Sequence, residues 1–483
     1  MKKIIIHSFF VILLSSLLFP KNLTLYDFDN PSASHILDTE IIDNILIVSG
    51  MIGGIEFYDI SNPEVLNHLT TLQLSSGGGG GGQGGGGTKP NCIVASGNYA
   101  YVTTNRGLGV INISNPSNPQ YLGIVPGTDN YMLEDLDINS NFLAVAAHQD
   151  GTLLFNISNP GNPVFLLSIE GENVWTVHLS NDYLYIGDES LLNIYMIVND
   201  AFGEFLDCAE VLNVNLGNSI KDIETGHYPN YIFVAIGSDG VVLIDSSNLI
   251  DGYGLINYEI LGIYNTTALA NKIDFMEDVL YTQRLAVSDW DDVEILEWNG
   301  ESLSLVGFKN TTRRTMAIAT KNDYIYSAEW NSVQIFEYGE IDGPDLDLNL
   351  YELNYPYVQL GESYNLSLEV TNNGSQTLSI LDAYTTNNEF SYSELNDLNP
   401  GESQIVDILY TADSNNASGS YRIFSNDEDE PQIVCETNGN INGANIGDIA
   451  PNFNLDIIAN GSGSFELSDY INKIVVLAFF APN

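Results

Sequence analysis

One short unit recurs seven times along this chain, and that recurrence constrains the fold more than any other feature. A turn carrying Asn or Asp leads into an alternating run of aromatic and β-branched residues: DNILIVSG, GNYAYVTT, SNFLAVAA, NDYLYIGD, PNYIFVAI, EDVLYTQR and NDYIYSAE. The anchoring residues are Asn44, Asn98, Asn141, Asp182, Asn230, Asp278 and Asp323, a spacing of ~45 residues. The longest gap, Asn44 to Asn98, contains a glycine-rich insert that accounts for its length. A unit of this size cannot bury its apolar face alone, so it must stack on its neighbours.

Each unit carries four strand signals, as in CIVAS, YAYVTT, GLGVINI and QYLGIV of the second. Between the third and fourth signals stand ISNPEV, ISNPSNPQ and ISNPGNPV. Asn and Ser bond the local backbone there and Pro fixes φ, so these are turns. Helix signals are nearly absent. The spacing therefore predicts an all-β, seven-bladed β-propeller over residues 21–342. The last unit runs VQIFEYG into the next domain without an outer strand, and LTLYDF near the N-terminus is expected to supply it and close the ring. The YAYV, GL-V and ISNP segments resemble the LVIVD-type repeat. The resemblance extends over roughly residues 25–340, best in the first three units and weak in the fourth, sixth and seventh.

The insert SSGGGGGGQGGGGTKP, residues 75–90, predicts a flexible loop. It is not a phosphate loop: Lys89 follows Thr88 and precedes Pro90, and no helix start follows. EIDGP, Glu340 to Pro344, reads as a linker. Beyond it, Leu366, Leu368 and Val370 alternate with polar residues, so one strand face is buried and the other wet. Six or seven such short strands over residues 343–442 predict an immunoglobulin-like β-sandwich. VTNNGSQTLSI, LNPGES and SNDEDEP resemble the ASH-like sandwich domains of exported bacterial proteins, which implies a spacer rather than a catalyst.

Residues 446–483 end on KIVVLAFFAPN, a continuous apolar run of the kind buried in a parallel sheet. Gly447-Asp448, Ala450-Pro451, Phe453, Leu455, Leu467 to Tyr470, Lys473 and the final strand resemble the start of a redoxin domain of the peroxiredoxin and thioredoxin-like group. That resemblance implies an incomplete thioredoxin-like α/β segment whose catalytic cysteine falls beyond Asn483. The other reading is a short tail that adds to the sandwich. Cys92, Cys208 and Cys435 are far apart and lie in strand-like runs, so they are expected to be free thiols.

Residues 1–20 open with Lys2 and Lys3 and continue with an apolar stretch from Ile4 to Phe19, which suits a secretory signal; an uncleaved anchor is the alternative. An exported location, periplasmic, cell-surface or secreted, is expected. With 63 acidic against 14 basic residues the formal charge is -49, which disfavours nucleic acid and anionic membranes as partners.

No HExxH, GxSxG, CxxC or calcium-loop pattern occurs, and neither cofactor nor metal is expected. DLDLNL lacks the central Gly and closing Glu of a calcium loop. SDWDD, Ser288 to Asp292, reads as a solvated acidic turn with a weak cation site as the alternative. Propellers bind at one face, through the loops joining second to third strands and unit to unit. Those loops are expected to carry Arg106, Tyr131, His148, Asp150, Trp175, Trp290, Arg313, Arg314 and Trp330. Exposed aromatics beside rare basic residues suit contacts to a protein or a glycan. Two functions remain open: an exported binding scaffold, or the N-terminal part of a thiol oxidoreductase of the peroxiredoxin or thiol-disulfide kind.

Overall fold

The computed structural model describes residues 21–74, 88–226, 231–247, 258–276, 283–413, 417–427, 430–440, 454–456 and 464–466. Most of the glycine-rich insert, residues 1–20 and most of 446–483 lie outside that set. Among the described residues every regular element is a strand. The chain divides into two compact units, Met1–Ile341 and Asp342–Asn483.

In the first unit the repeats become sheets. Five are four-stranded meanders in chain order, beginning with Ser34–Ile42, Pro90–Ser96, Leu136–Ile138, Val174–Ser180 and Asp222–Thr225. A sixth sheet has six strands, because Gln283–Trp298 and Leu303–Lys321 are long and bend where their pairing shifts. Its outer strand is Lys21–Asp29, which pairs antiparallel with Val333–Glu340, the place where the sequence lacked a strand.

The recurring sequence signals have local causes. The carbonyls of Asn44, Asn98, Asn141, Asp182 and Asp323 each accept the N–H of a residue just after or near the end of the third strand of the unit: Ile60, Ile113, Ile157, Ile197 and Tyr338, at 2.7–2.9 Å. The anchors therefore fix where the second strand starts against the third. Asn230 and Asp278 lie outside the described residues. After the third strand, Asp59, Asn112 and Asn156 accept the N–H of Ser61, Ser114 and Ser158 at 2.8–3.0 Å, the local bond that makes ISNP a turn. Gly151 turns the second strand into the third at φ 77°, and a Cβ there would stand 2.0 Å from the Ile169 carbonyl oxygen. Backbone cannot yield to that contact, so glycine is required.

Both faces of these sheets are covered, which is why strands such as Phe142–Ala146 are buried at every position. Ile47 and Phe57 of the first sheet pack on Ile93 and Val102 of the second. The same arrangement recurs around the unit, until Tyr326 and Ile335 pack on Ile36 and Val48 of the first sheet. The apolar contacts thus close into a cycle, a repeat build of β-propeller-like form. Each fully buried Leu, Ile or Phe contributes ~1.5–3 kcal/mol to that stacking.

The second unit is also all-β. One sheet orders Leu346–Leu348, Ser363–Asn372, Ser403–Thr411 and Phe390–Tyr392; the other orders Glu352–Asn354, Gln432–Gly439, Ala417–Ser425 and Ile380–Thr385. Glu352–Asn354 runs parallel to its neighbour. Val406, Ile408 and Tyr410 alternate inward and share one core with Tyr421 and Ile423 of the other sheet. Asn454–Asp456 and Ser464–Glu466 pair as a hairpin.

Candidate functional site

The first strand of each sheet leaves one edge unpaired, and an exposed row of backbone N–H groups must find acceptors. Here the acceptors are carboxylates on the first strand of the preceding sheet and, within the six-stranded sheet, on its edge strand Lys272–Phe275, which serves Thr320 of the bent strand Leu303–Lys321. Asp38 accepts from Ile93 N–H at 2.8 Å, Asp137 from Leu179 at 2.7 Å, Asp222 from Ile273 at 2.8 Å and Asp274 from Thr320 at 2.5 Å. Asp135 accepts from the Thr176 hydroxyl at 2.7 Å and Val177 N–H at 3.2 Å. With Glu40, Glu224, His178 and Lys272 these residues line a polar cavity of about 320 Å³.

Charge in the cavity is only partly balanced. Lys272 Nζ lies 2.9 Å from Asp135 and 3.5 Å from Asp222. His178 Nδ1 lies 3.0 Å from Asp137, and its Nε2 is 3.0 Å from the Thr225 hydroxyl. Burial opposes the charged imidazole, but Glu224, Asp137 and Asp222 outweigh it and hold His178 up at about 9. Burial likewise opposes the Lys272 charge, and Asp135, Asp222 and Asp38 outweigh it and raise its pKa well above the usual lysine range. Burial pushes Asp38 up to about 6 despite Lys272, and raises Asp222, Asp274, Glu40 and Glu224 as well. Most of these groups are engaged in holding neighbouring sheets together.

Antiparallel alternation puts the second-to-third turns, the sheet-to-sheet connections and the starts of the first strands at one end of the unit. The predicted binding residues gather at that end as separate pairs. His148 meets Trp175 edge to face at 4.8 Å, and Lys221 Nζ stands 4.6 Å from the centre of the Trp175 ring. His148 also contacts Glu134 and Asn173, each at 3.2 Å. Trp330 meets His35 at 4.5 Å, and the Arg314 guanidinium lies 4.8 Å from the Trp290 ring. Such cation–aromatic contacts contribute ~0.5–1 kcal/mol at exposed sites. Tyr131 lines a second cavity of about 690 Å³ with Met132, Lys89 and Glu134. Arg106 and Asp150 are exposed on their turns and join none of these ring pairs.

Three assignments change. Trp175 begins strand Val174–Ser180, Trp290 lies inside strand Gln283–Trp298, and Arg313 and Arg314 lie inside strand Leu303–Lys321; none of the four is in a loop. The Arg313 side chain lies outside the described set. SDWDD is not a solvated turn: Ser288, Asp289 and Asp292 are buried, because the strand kinks at Trp290 and turns that ring outward while the flanking carboxylates go in. His35, His148 and Trp290 all sit at positive φ, between 46° and 57°. Bulky residues held in that region store strain and cluster at functional sites.

Lys221, His35 and the cavity carboxylates were not anticipated. A signal for the last existed: Asp38-Thr39-Glu40, Asp135-Leu136-Asp137 and Asp222-Ile223-Glu224 repeat an acid-x-acid spacing at the first strand of a unit. The thiols follow expectation in being unpaired, with Cys92 and Cys435 buried and Cys208 half-buried. Burial raises Cys92 well above the usual range and pushes Cys208 up to about 11 and Cys435 to about 12.

Among the described residues no helix is long and apolar enough to cross a membrane. No curated protein matches the chain. The LVIVD repeat family matches residues 89–126 and 171–196. The first match covers all four strands of the second sheet. The second falls on the fourth unit, where the sequence reading expected a weak likeness. These matches and the cyclic stacking of the sheets mark the chain as a repeat protein of β-propeller-like build.

Proposed function

We propose that this chain is an exported, non-catalytic binding scaffold: a seven-bladed propeller that engages a protein or glycan at one face, followed by an immunoglobulin-like sandwich acting as a spacer. The observation that carries the reading is the gathering of aromatic, histidine and cationic pairs at one end of the unit, on strained backbone, while the interior carboxylates are engaged by backbone N–H groups. Seven blades are supported by the bend in the six-stranded sheet. At the register breaks after Trp290 and Thr315 it parts into two groups of four strands. The spacer reading is supported by the shared apolar core of two sheets. A redoxin-like start after Ile446 is supported by the hairpin joining Asn454–Asp456 to Ser464–Glu466.

The test is a glycan array and a surface-protein capture run with the wild type and a Trp175→Ala/Trp330→Ala variant. Binding at least ~10-fold weaker in the variant is expected, the size of two lost aromatic anchors. Undiminished binding of every ligand would sink the assignment of the face. With all three described thiols raised and without a helix start beside them, the chain is expected to turn over neither peroxide nor a disulfide substrate. Turnover that vanishes on replacing one of these cysteines would restore the oxidoreductase reading.

A further inference from the structure

The kink at Trp290 assembles a second group of buried acids, away from the central cavity. Asp289 and Glu294 are fully buried and Asp292 is 3% exposed. One ligand oxygen from each lies within 4.8 Å of the others, so an ion at ~2.4 Å needs at most a small inward shift of the side chains to reach all three. Donors come from the connection that leads into strand Lys272–Phe275. Ala268 N–H donates to Asp289 at 2.7 Å and Thr267 N–H to Glu294 at 3.1 Å. The Thr267 hydroxyl lies 2.9 Å from Asp289 and 3.0 Å from Asp292, and its single proton serves one of them at a time.

That supply is too small. Asp289 Oδ1, Asp292 Oδ1 and Glu294 Oε2 are buried and accept no hydrogen bond. A fourth oxygen joins them. The Thr266 hydroxyl is 5% exposed and close enough to Asp289 to offset part of its burial, yet it makes no hydrogen bond of good geometry. No lysine, arginine or histidine pairs with the three acids among the described residues. Unpaired buried charge is among the costliest features a fold can hold. Lone pairs converging from hard oxygens, with too few proton donors to meet them, are the complement of a hard cation.

We infer that Asp289, Asp292 and Glu294, with the Thr266 hydroxyl, form a calcium-type divalent-cation site under the kink. Asp291 and Thr267 beside it are exposed, which gives an ion a short way in. The ion would tie Thr266, in the incoming connection, to strand Gln283–Trp298 next to the Trp290–Arg314 pair.

The experiment uses the full chain and calcium alone. Calcium should raise the melting temperature beyond sodium chloride of equal ionic strength, which separates binding from screening of the -49 charge. Terbium should show one-equivalent emission excited through tryptophan and displaced by calcium. Asp292→Asn and Glu294→Gln should each raise the calcium midpoint at least ~10-fold, as expected for one lost carboxylate ligand. Asp291→Asn should leave it within ~2-fold, because that side chain is not among the proposed ligands. Trp290→Phe should keep the calcium shift, and it remains informative if an amide variant fails to fold. Absence of a calcium-specific shift in the wild type would overturn the site. So would amide variants that bind as the wild type does.

Discussion

Two groups of buried carboxylates lie within one repeat unit, and they solve the same electrostatic problem differently. In the central cavity each strand edge offers N–H donors to the acids of the preceding strand, and Lys272 and His178 add charge. Under the Trp290 kink, three acids share one hydroxyl and two N–H groups, with no cation among the described residues. In the first group, groups of the fold itself offset part of the desolvation, and burial still raises Asp38, Asp222 and Asp274 to about 6. In the second, burial lifts Asp289 to about 6 and Glu294 to about 8, and burial with the Glu294 charge raises Asp292 well above the usual carboxylate range. Buried acid is therefore not a single category. What separates structural from ligand-seeking carboxylates is the donor count around them.

The largest expected effect comes from removing the cavity's cation. Lys272→Met leaves Asp135 and Asp222 facing each other, and should cost ~3–5 kcal/mol at pH 8. The loss should be smaller at pH 5, where Asp222 gains a proton. Urea unfolding followed by circular dichroism measures both; an unchanged midpoint would put the two groups in the same class.

A smaller effect is expected from pH. Asp38, Asp222, Asp274 and Asp289 have folded pKa values raised above their ordinary 3.8, so the folded state binds more protons between pH 4 and about 6. Stability must then fall as pH rises through that window. His178 and Lys272 have the same sign: their contribution is complete below the ordinary pKa and is lost as pH rises through the raised one, about 9 for His178. Calcium-free protein should melt ~3 °C higher at pH 5 than at pH 8, equivalent to ~2 kcal/mol in a unit this size. Calorimetry at fixed ionic strength decides, and a rising trend toward pH 8 would contradict the cavity charges.

The finest contrast is in sign. In chelator at pH 8, Glu294→Gln should stabilise by ~1 kcal/mol, because it removes a buried charge that no cation among the described residues offsets. Asp135→Asn should destabilise by ~1 kcal/mol, because it takes the nearest carboxylate from Lys272. Equal signs in thermal melts would erase the distinction between the two groups.

Much of the fold was legible. The anchors from Asn44 to Asp323, the ISNP turns and the missing outer strand each depend on bonds within a unit or on a simple count of strands. The rim was legible in part. Alternation and turn signals placed His148 and Trp330 at the correct end, but Trp175, Trp290 and Arg314 were assigned to loops rather than to the strands that hold them. Kinks inside long strands carry no strong residue signature, since any residue able to reach φ near 57° can make one. Reading SDWDD as solvated followed composition, and composition does not report which way a side chain turns.

The sequence alone determined the repeat, its four-strand content, the turns within it and the acidic balance, because these are set by local propensity and periodicity. Only the tertiary structure decided which acids became partners. Asp38 meets Ile93, Asp135 meets Lys272, and Asp289, Asp292 and Glu294 meet one another, across separations of 55 and 137 residues in the first two cases. Those meetings depend on how successive sheets stack about a common centre and where one strand bends. That geometry follows from the sum of many apolar contacts and is encoded in no single segment.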